Sequence, residues 1–239
     1  MFKIALNAGH YLYTAGKRCS KALDANETRE WVLNDRICDK IETKLKEYEG
    51  YQLLRVDDTT GATDVSLADR AKKANTWGAD FYLSIHHNAG INGGKGGGVV
   101  AYTYTKVDDV TRAWQKELYD AIIKYTALKG NRATPLATSN LAECRKTTMP
   151  AVLLECGFMD SATDVPVILT DVFADRVASA CVEVIVKRGG LTKKQPKVDN
   201  ATTTDTIYRV QVGAYRVKAN AEKLVASLKK DGYDAFITT

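Results

Sequence analysis

Apolar and polar positions along residues 1–187 alternate between the periods typical of strands and of helices. Short apolar runs predict strands at 2–7, 51–56, 80–85, 99–104 and 151–154. Segments with apolar residues at helical spacing predict helices at 26–48, 66–77, 111–128 and 171–187, with Asn26 and Ser66 as N-caps and Gly78 and Gly130 as stops. The alternation predicts an α/β fold, a twisted and mostly parallel sheet with helices on both faces.

The composition changes near Arg188, where large apolar residues almost disappear until residue 206. We therefore predict a large domain at 1–187, a linker at 188–206 and a short segment at 207–239. In the last segment, apolar and polar residues alternate from Tyr208. Apolar residues at helical spacing follow, and Gly232 ends that predicted helix. This order predicts a small C-terminal βαβ module.

Composition narrows the class of protein. Apolar residues make up 45% and charged residues 26%, which is ordinary for a globular protein and argues against a disordered chain. No apolar run is long enough for a transmembrane helix, and the N-terminus does not resemble a signal peptide, so we expect synthesis in the cytoplasm without a leader. Five scattered cysteines without a C-x-x-C pair predict reduced thiols.

The net charge of +5 is unevenly distributed. Residues 1–187 hold 24 Lys/Arg and 24 Asp/Glu, whereas residues 188–239 hold 10 basic and 5 acidic residues. A neutral body with a basic tail indicates that the tail meets an anionic partner. On charge alone, nucleic acid, an acidic membrane and an anionic cell wall all remain open.

The candidate chemistry lies where predicted strands end. His10 follows the first strand, His86 and His87 follow the strand at 80–85, and Glu155 follows the strand at 151–154. Glu27 lies in the first turn of a predicted helix, where the helix dipole favours an anion. Two histidines and a carboxylate, with a second carboxylate nearby, form the set that a catalytic zinc site needs: three protein ligands, an open fourth position, and a base for water.

The body resembles the zinc-dependent N-acetylmuramoyl-L-alanine amidases of the family 3 type. The blocks that carry the resemblance are Ala8-Gly9-His10, Glu27, Leu67-Ala68-Asp69-Arg70, Ser84-Ile85-His86-His87-Asn88-Ala89 and Pro150-Ala151-Val152-Leu153-Leu154-Glu155. The resemblance implies zinc bound by His10, Glu27 and His86, with Glu155 catalytic. It implies cleavage of the amide bond between N-acetylmuramic acid and L-alanine of peptidoglycan.

The chain departs from the family's pattern at two places, and two further residues are candidates for binding substrate. The first block usually reads D-P-G-H, whereas this chain has Asn7-Ala8-Gly9-His10, and the loop that follows is not rich in glycine. His87 and Asn88 are candidate substrate-binding residues. Adjacent strand residues point to opposite faces, so a supporting role for His87 beside the site stays open as well.

Residues 207–239 resemble one sporulation-related (SPOR) repeat. Such repeats bind glycan strands of peptidoglycan, which makes Gln211 and Tyr215 candidate substrate contacts. A full domain of this kind resembles two βαβ halves, so we predict that two copies of this chain pair through their tails. The layout resembles leaderless amidases of mother-cell lysis and phage endolysins, which implies action at the cell wall after release, with no nucleic-acid or membrane partner.

Two other functions compete with this interpretation. A zinc carboxypeptidase or endopeptidase acting on stem peptides would use similar ligands on a related sheet. An RNA-binding module built on the basic tail is a weaker alternative, because its first strand lacks the two or three aromatic residues that stack on bases.

Overall fold

The computed structural model describes residues 1–195 and 211–238, and the chain divides into two compact units, Met1–Gln195 and Pro196–Thr239. The strands of the first unit are β1 (Phe2–Ala8), β2 (Tyr48–Glu49), β3 (Tyr51–Arg55), β4 (Phe81–Asn88), β5 (Val99–Thr103), β6 (Leu136–Thr138), β7 (Ala151–Phe158) and β8 (Thr192–Lys193). Its helices are α1 (Glu30–Leu45), α2 (Leu67–Trp77), α3 (Asp109–Thr126), α4 (Ala142–Lys146), α5 (Val165–Ile168) and α6 (Asp171–Gly189).

Six strands form one sheet in the order β3-β1-β4-β7-β5-β6. β3, β1, β4 and β7 run parallel to one another, β5 pairs antiparallel with β7, and β6 pairs parallel with β5. The predicted mostly parallel sheet is therefore confirmed. Because β1, β4 and β7 are adjacent and parallel, their carboxyl ends lie side by side at one edge, where α/β sheets bind ligands.

Helices cover both faces of this sheet, as predicted. Helices α1, α3 and α6 pack on one face against β-strand residues such as Ile4, Leu83 and Leu154. Helices α2 and α4 cover the other face, where Ala5 and Tyr82 are buried. Burial on both faces explains why the central strands read as almost continuous apolar runs.

Helix α2 begins and ends where local signals predict. The Ser66 hydroxyl accepts a hydrogen bond from the backbone N–H of Asp69, and Gly78 ends the helix in the left-handed conformation at φ 70°. These are the usual start and stop of a helix.

Helix α1 begins later than the sequence predicts, so Asn26 as its N-cap is wrong. The buried Asp24 carboxylate accepts hydrogen bonds from the backbone N–H groups of Asn26 (3.1 Å) and Thr28 (2.7 Å). After this turn, the left-handed backbone of Glu27 (φ 47°) and the extended backbone of Arg29 (ψ 143°) keep the segment out of a helix. The first helical residue is consequently Glu30, one turn after the expected start.

The first unit continues past Lys187. Helix α6 runs to Gly189, the guanidinium of Arg188 donates a hydrogen bond to Glu117 (2.7 Å), and β8 pairs antiparallel with β2. Residues 188–193 therefore pack on the body, although their composition resembles a linker. Residues 196–206 of the predicted linker lie outside the described residues.

The described part of the second unit contains one helix, α7 (Lys218–Lys230), which ends just before Gly232. The described flanking segments, 211–217 and 231–238, form no strand. Tyr208 and Val210, at the start of the predicted first strand, lie outside the described residues. Of the predicted βαβ module, the described residues therefore show only the helix.

Two expectations drawn from composition can be compared with the described residues. All five cysteines are buried free thiols, as predicted for a chain without a disulfide framework. None of the helices in the described ranges has the length and apolar character needed to cross a bilayer.

Candidate active site at the carboxyl ends of three strands

The side chains singled out by sequence meet at the shared edge of β1, β4 and β7. His10 lies just beyond β1, and Glu155 on β7 is in register with His86 on β4. His86 and His87 belong to the last three residues of β4 and do not follow it, since the strand extends to Asn88. The three parallel strands bring His10, His86 and Glu155 to one place, as the sequence led us to expect.

His10, Glu30 and His86 form a compact cluster in which one ligand atom from each lies within 4.8 Å of the others. The Glu30 carboxylate separates the two rings: its Oε2 lies 3.3 Å from Nε2 of His10, and its Oε1 lies 3.1 Å from Nδ1 of His86. Burial would raise the pKa of Glu30, but the adjacent rings of His10 and His86 hold it well below its usual range. Glu30 is therefore a charged ligand candidate.

Glu27, expected in this cluster from the resemblance, is not brought to it. Its backbone is left-handed at φ 47°, and its Oε1 lies 3.2 Å from Nε of Arg18 at the surface. The physical reason is the late start of α1, which moves the first turn of the helix, and its carboxylate, from Glu27 to Glu30. The carboxylate beside the histidines is thus corrected from Glu27 to Glu30.

The cluster has the chemistry of a metal site. Two imidazoles and one carboxylate are zinc ligands, and Oε2 of Glu30 is buried with no hydrogen-bond partner among the described residues. Burial would lower the pKa of His86, but Glu143 and Glu30 raise it to about 10. A metal bound by this ring would have to displace a proton from it.

Glu155 is a partly buried carboxyl group near the cluster. Burial is the main cause that raises its pKa to about 7, with the charge of His86 acting in the opposite direction. Its Oε2 is buried and has no hydrogen-bond partner in the described residues. A carboxyl group that titrates near neutrality, with a free oxygen, is suited to accept and return a proton.

Arg70 fixes the backbone that carries His10. Its guanidinium is 1% exposed and donates hydrogen bonds to the carbonyls of Ala8, His10 and Val65 at 2.7–2.8 Å. His10 has a left-handed φ of 67°, which is unfavourable for a residue with a side chain. The Arg70 clamp stabilises this strained conformation.

Gly9 lies against the ring of His86. A Cβ at this position would be 2.1 Å from Cε1 of His86, so no side chain fits. We expect Gly9→Ala to displace His86 and weaken metal binding by about tenfold or more, because ligand orientation controls affinity. Metal titration of the purified variant checks this result. Gly94→Ala, whose Cβ would meet nothing closer than 3.1 Å, is the control and should bind as the parent does.

The remaining candidate substrate-binding residues lie in both units. His87 is 1% exposed, its Nδ1 lies 2.8 Å from Oδ1 of Asn34, and burial lowers its pKa to about 3. The ring has almost no exposed surface for substrate, and it contacts Asn34, whose Nδ2 donates a hydrogen bond to the carbonyl of Gly9. Asn88 is partly exposed, and Gln211 and Tyr215 are exposed in the second unit.

Sequence reasoning missed Glu30, Arg70 as a clamp, and the buried Glu143. Glu30 immediately precedes Trp31, the first residue of the apolar stripe of α1, and that stripe is a signal that could have located the helix start. Glu143 lies in a short helix that periodicity does not reveal.

Comparison with known proteins agrees with this geometry. The N-acetylmuramoyl-L-alanine amidase family matches residues 4–187, and the SPOR domain matches residues 204–239. The chain is 32% identical to a sporulation-specific N-acetylmuramoyl-L-alanine amidase of Bacillus subtilis, over 99% of this chain and 84% of that protein. It is 34% identical to an endolysin of Bacillus phage SPP1, over 79% of this chain and 66% of the endolysin.

A solved structure shares the fold. The crystal structure of an N-acetylmuramoyl-L-alanine amidase from Clostridium difficile superposes with a TM-score of 0.69 at 26% identity, covering 78% of this chain and 95% of that one. The expected family and the expected SPOR segment are both confirmed.

Proposed function

Because the chain belongs to the N-acetylmuramoyl-L-alanine amidase family, we propose that its first unit is a zinc-dependent peptidoglycan hydrolase. It cleaves the amide bond between N-acetylmuramic acid and the L-alanine of the stem peptide. The observation that carries the zinc proposal is the convergence of His10, Glu30 and His86 within 4.8 Å. These three residues would hold the ion, and Glu155 would be the catalytic base.

The chain's own residues have distinct tasks in this reaction. Zinc, when bound, supplies a Lewis acid that polarises the scissile carbonyl and makes water more acidic. Glu155 accepts a proton from the attacking water and then gives that proton to the departing amine of L-alanine, so that it ends in its starting state. Glu30, His10 and His86 remain ligands throughout, and Arg70 keeps His10 in place.

Mass spectrometry of digested cell walls tests the bond assignment. Intact sacculi treated with the protein should release stem peptides that begin with a free L-alanine amine, and metal analysis should find about one zinc per chain. The zinc carboxypeptidase or endopeptidase alternative would instead release peptides or residues cut within the stem. Products of that kind, with the muramoyl amide intact, would contradict the proposal.

We propose that the second unit holds the enzyme on peptidoglycan, so that the protein acts at the cell wall. The charge that suggested this role is divided between the units. Arg188, Lys193 and Lys194 lie within the first unit, where Arg188 pairs with Glu117 and Lys193 with Glu47. Residues 196–239 hold seven basic and five acidic residues, a small excess of charge. We therefore expect contacts of individual side chains with peptidoglycan to contribute more to binding than net charge does.

Deletion of the second unit tests this targeting role. We expect residues 1–195 to cleave small muropeptides as the whole chain does and to sediment less with intact sacculi. Binding of the whole chain should weaken only moderately between low and physiological salt, because exposed charges are screened but few are in excess. Equal sedimentation of the two proteins would show that the second unit is not the wall anchor.

We also propose that two copies pair through the second unit. Its described residues leave large apolar side chains exposed, with Val212, Tyr233 and Phe236 each at least 65% exposed, and α7 buries none of its residues. An apolar surface of this kind indicates a protein partner, and a two-fold pair is the commonest arrangement. Light scattering should give a dimer for the whole chain and a monomer for residues 1–195. A monomeric whole chain at micromolar concentration would contradict pairing.

A further inference from the structure

Glu143 is a buried carboxylate beside the candidate metal site that the mechanism above does not use. It lies in α4 and is 3% exposed. Its Oε1 accepts hydrogen bonds from Nδ2 of Asn7 and the hydroxyl of Tyr82, both at 2.8 Å. A carboxylate with such partners in the interior remains charged, because buried donors replace the water it has lost.

The other oxygen of Glu143 faces His86. Oε2 accepts a hydrogen bond from Oγ of Ser84 (3.3 Å) and lies 3.5 Å from Nε2 of His86. The Nε2 atom is buried and makes no hydrogen bond among the described residues, and Oε2 of Glu143 is the carboxylate oxygen that lies within 4.0 Å of it. The opposite ring nitrogen, Nδ1, faces Glu30 within the ligand cluster. A neutral histidine protonated at Nε2 therefore presents the lone pair of Nδ1 to that cluster.

We propose that Glu143 is a positioning residue that keeps a proton on Nε2 of His86 and thereby leaves Nδ1 free to bind the metal. The inference deepens the proposed function and rests on the zinc site described there. A carboxylate in this outer position fixes the tautomer and orientation of a ligating histidine, and its loss typically costs 10–100-fold in metal affinity.

Asn7 can only donate, and not accept, a hydrogen bond on the side that faces Glu143. Nη1 of Arg70 donates to Oδ1 of Asn7 at 2.7 Å, so Asn7 must direct its NH₂ group to Glu143. A glutamine at position 143 would have to turn its oxygen toward Asn7, which leaves its NH₂ group facing Nε2 of His86. A donor at that place favours the ring with its proton on Nδ1, the atom that must be free for metal.

Exchanging the two groups should reverse the effect. In Asn7→Asp/Glu143→Gln, the aspartate introduced at position 7 accepts hydrogen bonds from Arg70 and from the new amide. The amide oxygen then turns back to His86 and again accepts its Nε2 proton. The double variant keeps one carboxylate in the network and changes no side-chain length.

Zinc affinity, measured by competition with a chelator, tests the inference. We expect Glu143→Gln to bind zinc about 10–100-fold more weakly than the parent, and the double variant to recover about tenfold. Tyr82→Phe is the matched control, because it removes a partner of Glu143 but leaves the oxygen that faces His86. Its zinc affinity should stay within about threefold of the parent's, whatever its thermal stability.

A measurement on the parent protein keeps the inference testable even if a variant does not fold. The ¹⁵N spectrum of the zinc-loaded protein should show the proton of His86 on Nε2, and a proton on Nδ1 would overturn the inference. Unchanged zinc affinity in Glu143→Gln, or an equal loss in Tyr82→Phe, would also overturn it while leaving the proposed function intact. A parent protein that binds no zinc would overturn both.

Discussion

Glu30→Gln should remove zinc from the protein, whereas Glu27→Gln should not. The Glu30 carboxylate lies between the two histidines, and its amide analogue loses the charge that makes this site attractive to a cation. We expect a loss of affinity beyond about 100-fold, since outer residues alone contribute 10–100-fold. Zinc content after dialysis, measured together with amidase activity on purified walls, checks the result.

Glu27 provides the matched control for this substitution. It is the same residue type three positions earlier, and its carboxylate pairs with Arg18 at the surface. A surface ion pair contributes about 1 kcal/mol or less, so Glu27→Gln should keep its fold, its zinc and its activity. Zinc retained by Glu30→Gln and lost from Glu27→Gln would return the ligand to Glu27.

Glu155→Gln should keep zinc and lose nearly all amidase activity. The amide cannot accept the proton that the attacking water releases, and loss of a general base typically costs 10²–10⁴-fold in turnover. The substitution nearly preserves volume, and Glu155 is not in the ligand cluster. Turnover on muropeptides, compared at equal zinc content, measures the effect.

The variant His10→Ala, compared with Glu155→Gln, separates the role of Glu155 from a structural one. His10→Ala should lose activity together with zinc, because it removes a ligand, and excess zinc should restore it only in part. Glu155→Gln should be unaffected by added zinc. Full activity in Glu155→Gln at equal zinc content would contradict its assignment as the base.

Sequence was sufficient for the parts of the fold that local chemistry specifies. Helix α2 is an example, because Ser66 and Gly78 act within one turn of the helix ends they determine. The apolar runs of β1, β4 and β7 are equally readable, since strands buried on both faces must be apolar almost throughout. Strand ends that carry His10, His86 and Glu155 then predict where chemistry is concentrated.

The parts that sequence did not predict depend on contacts between distant residues. Residues 188–193 look like a linker, yet β8 is held by backbone pairing with β2, which composition does not record. Glu143 lies far along the chain from Asn7 and His86, and only the packing of α4 on the sheet brings the three together. No local pattern marks such a network.

The choice between Glu27 and Glu30 shows where sequence and tertiary structure divide. By itself, the sequence determined the family and the α/β sheet, and it predicted a site built from His10, His86, Glu155 and one early carboxylate. Tertiary structure decided which carboxylate lies beside the histidines, because α1 begins only at Glu30, after the turn formed by Asp24. Residues three apart share one face of a helix, but the left-handed backbone of Glu27 (φ 47°) takes that residue out of the helix, and its carboxylate pairs with Arg18 instead.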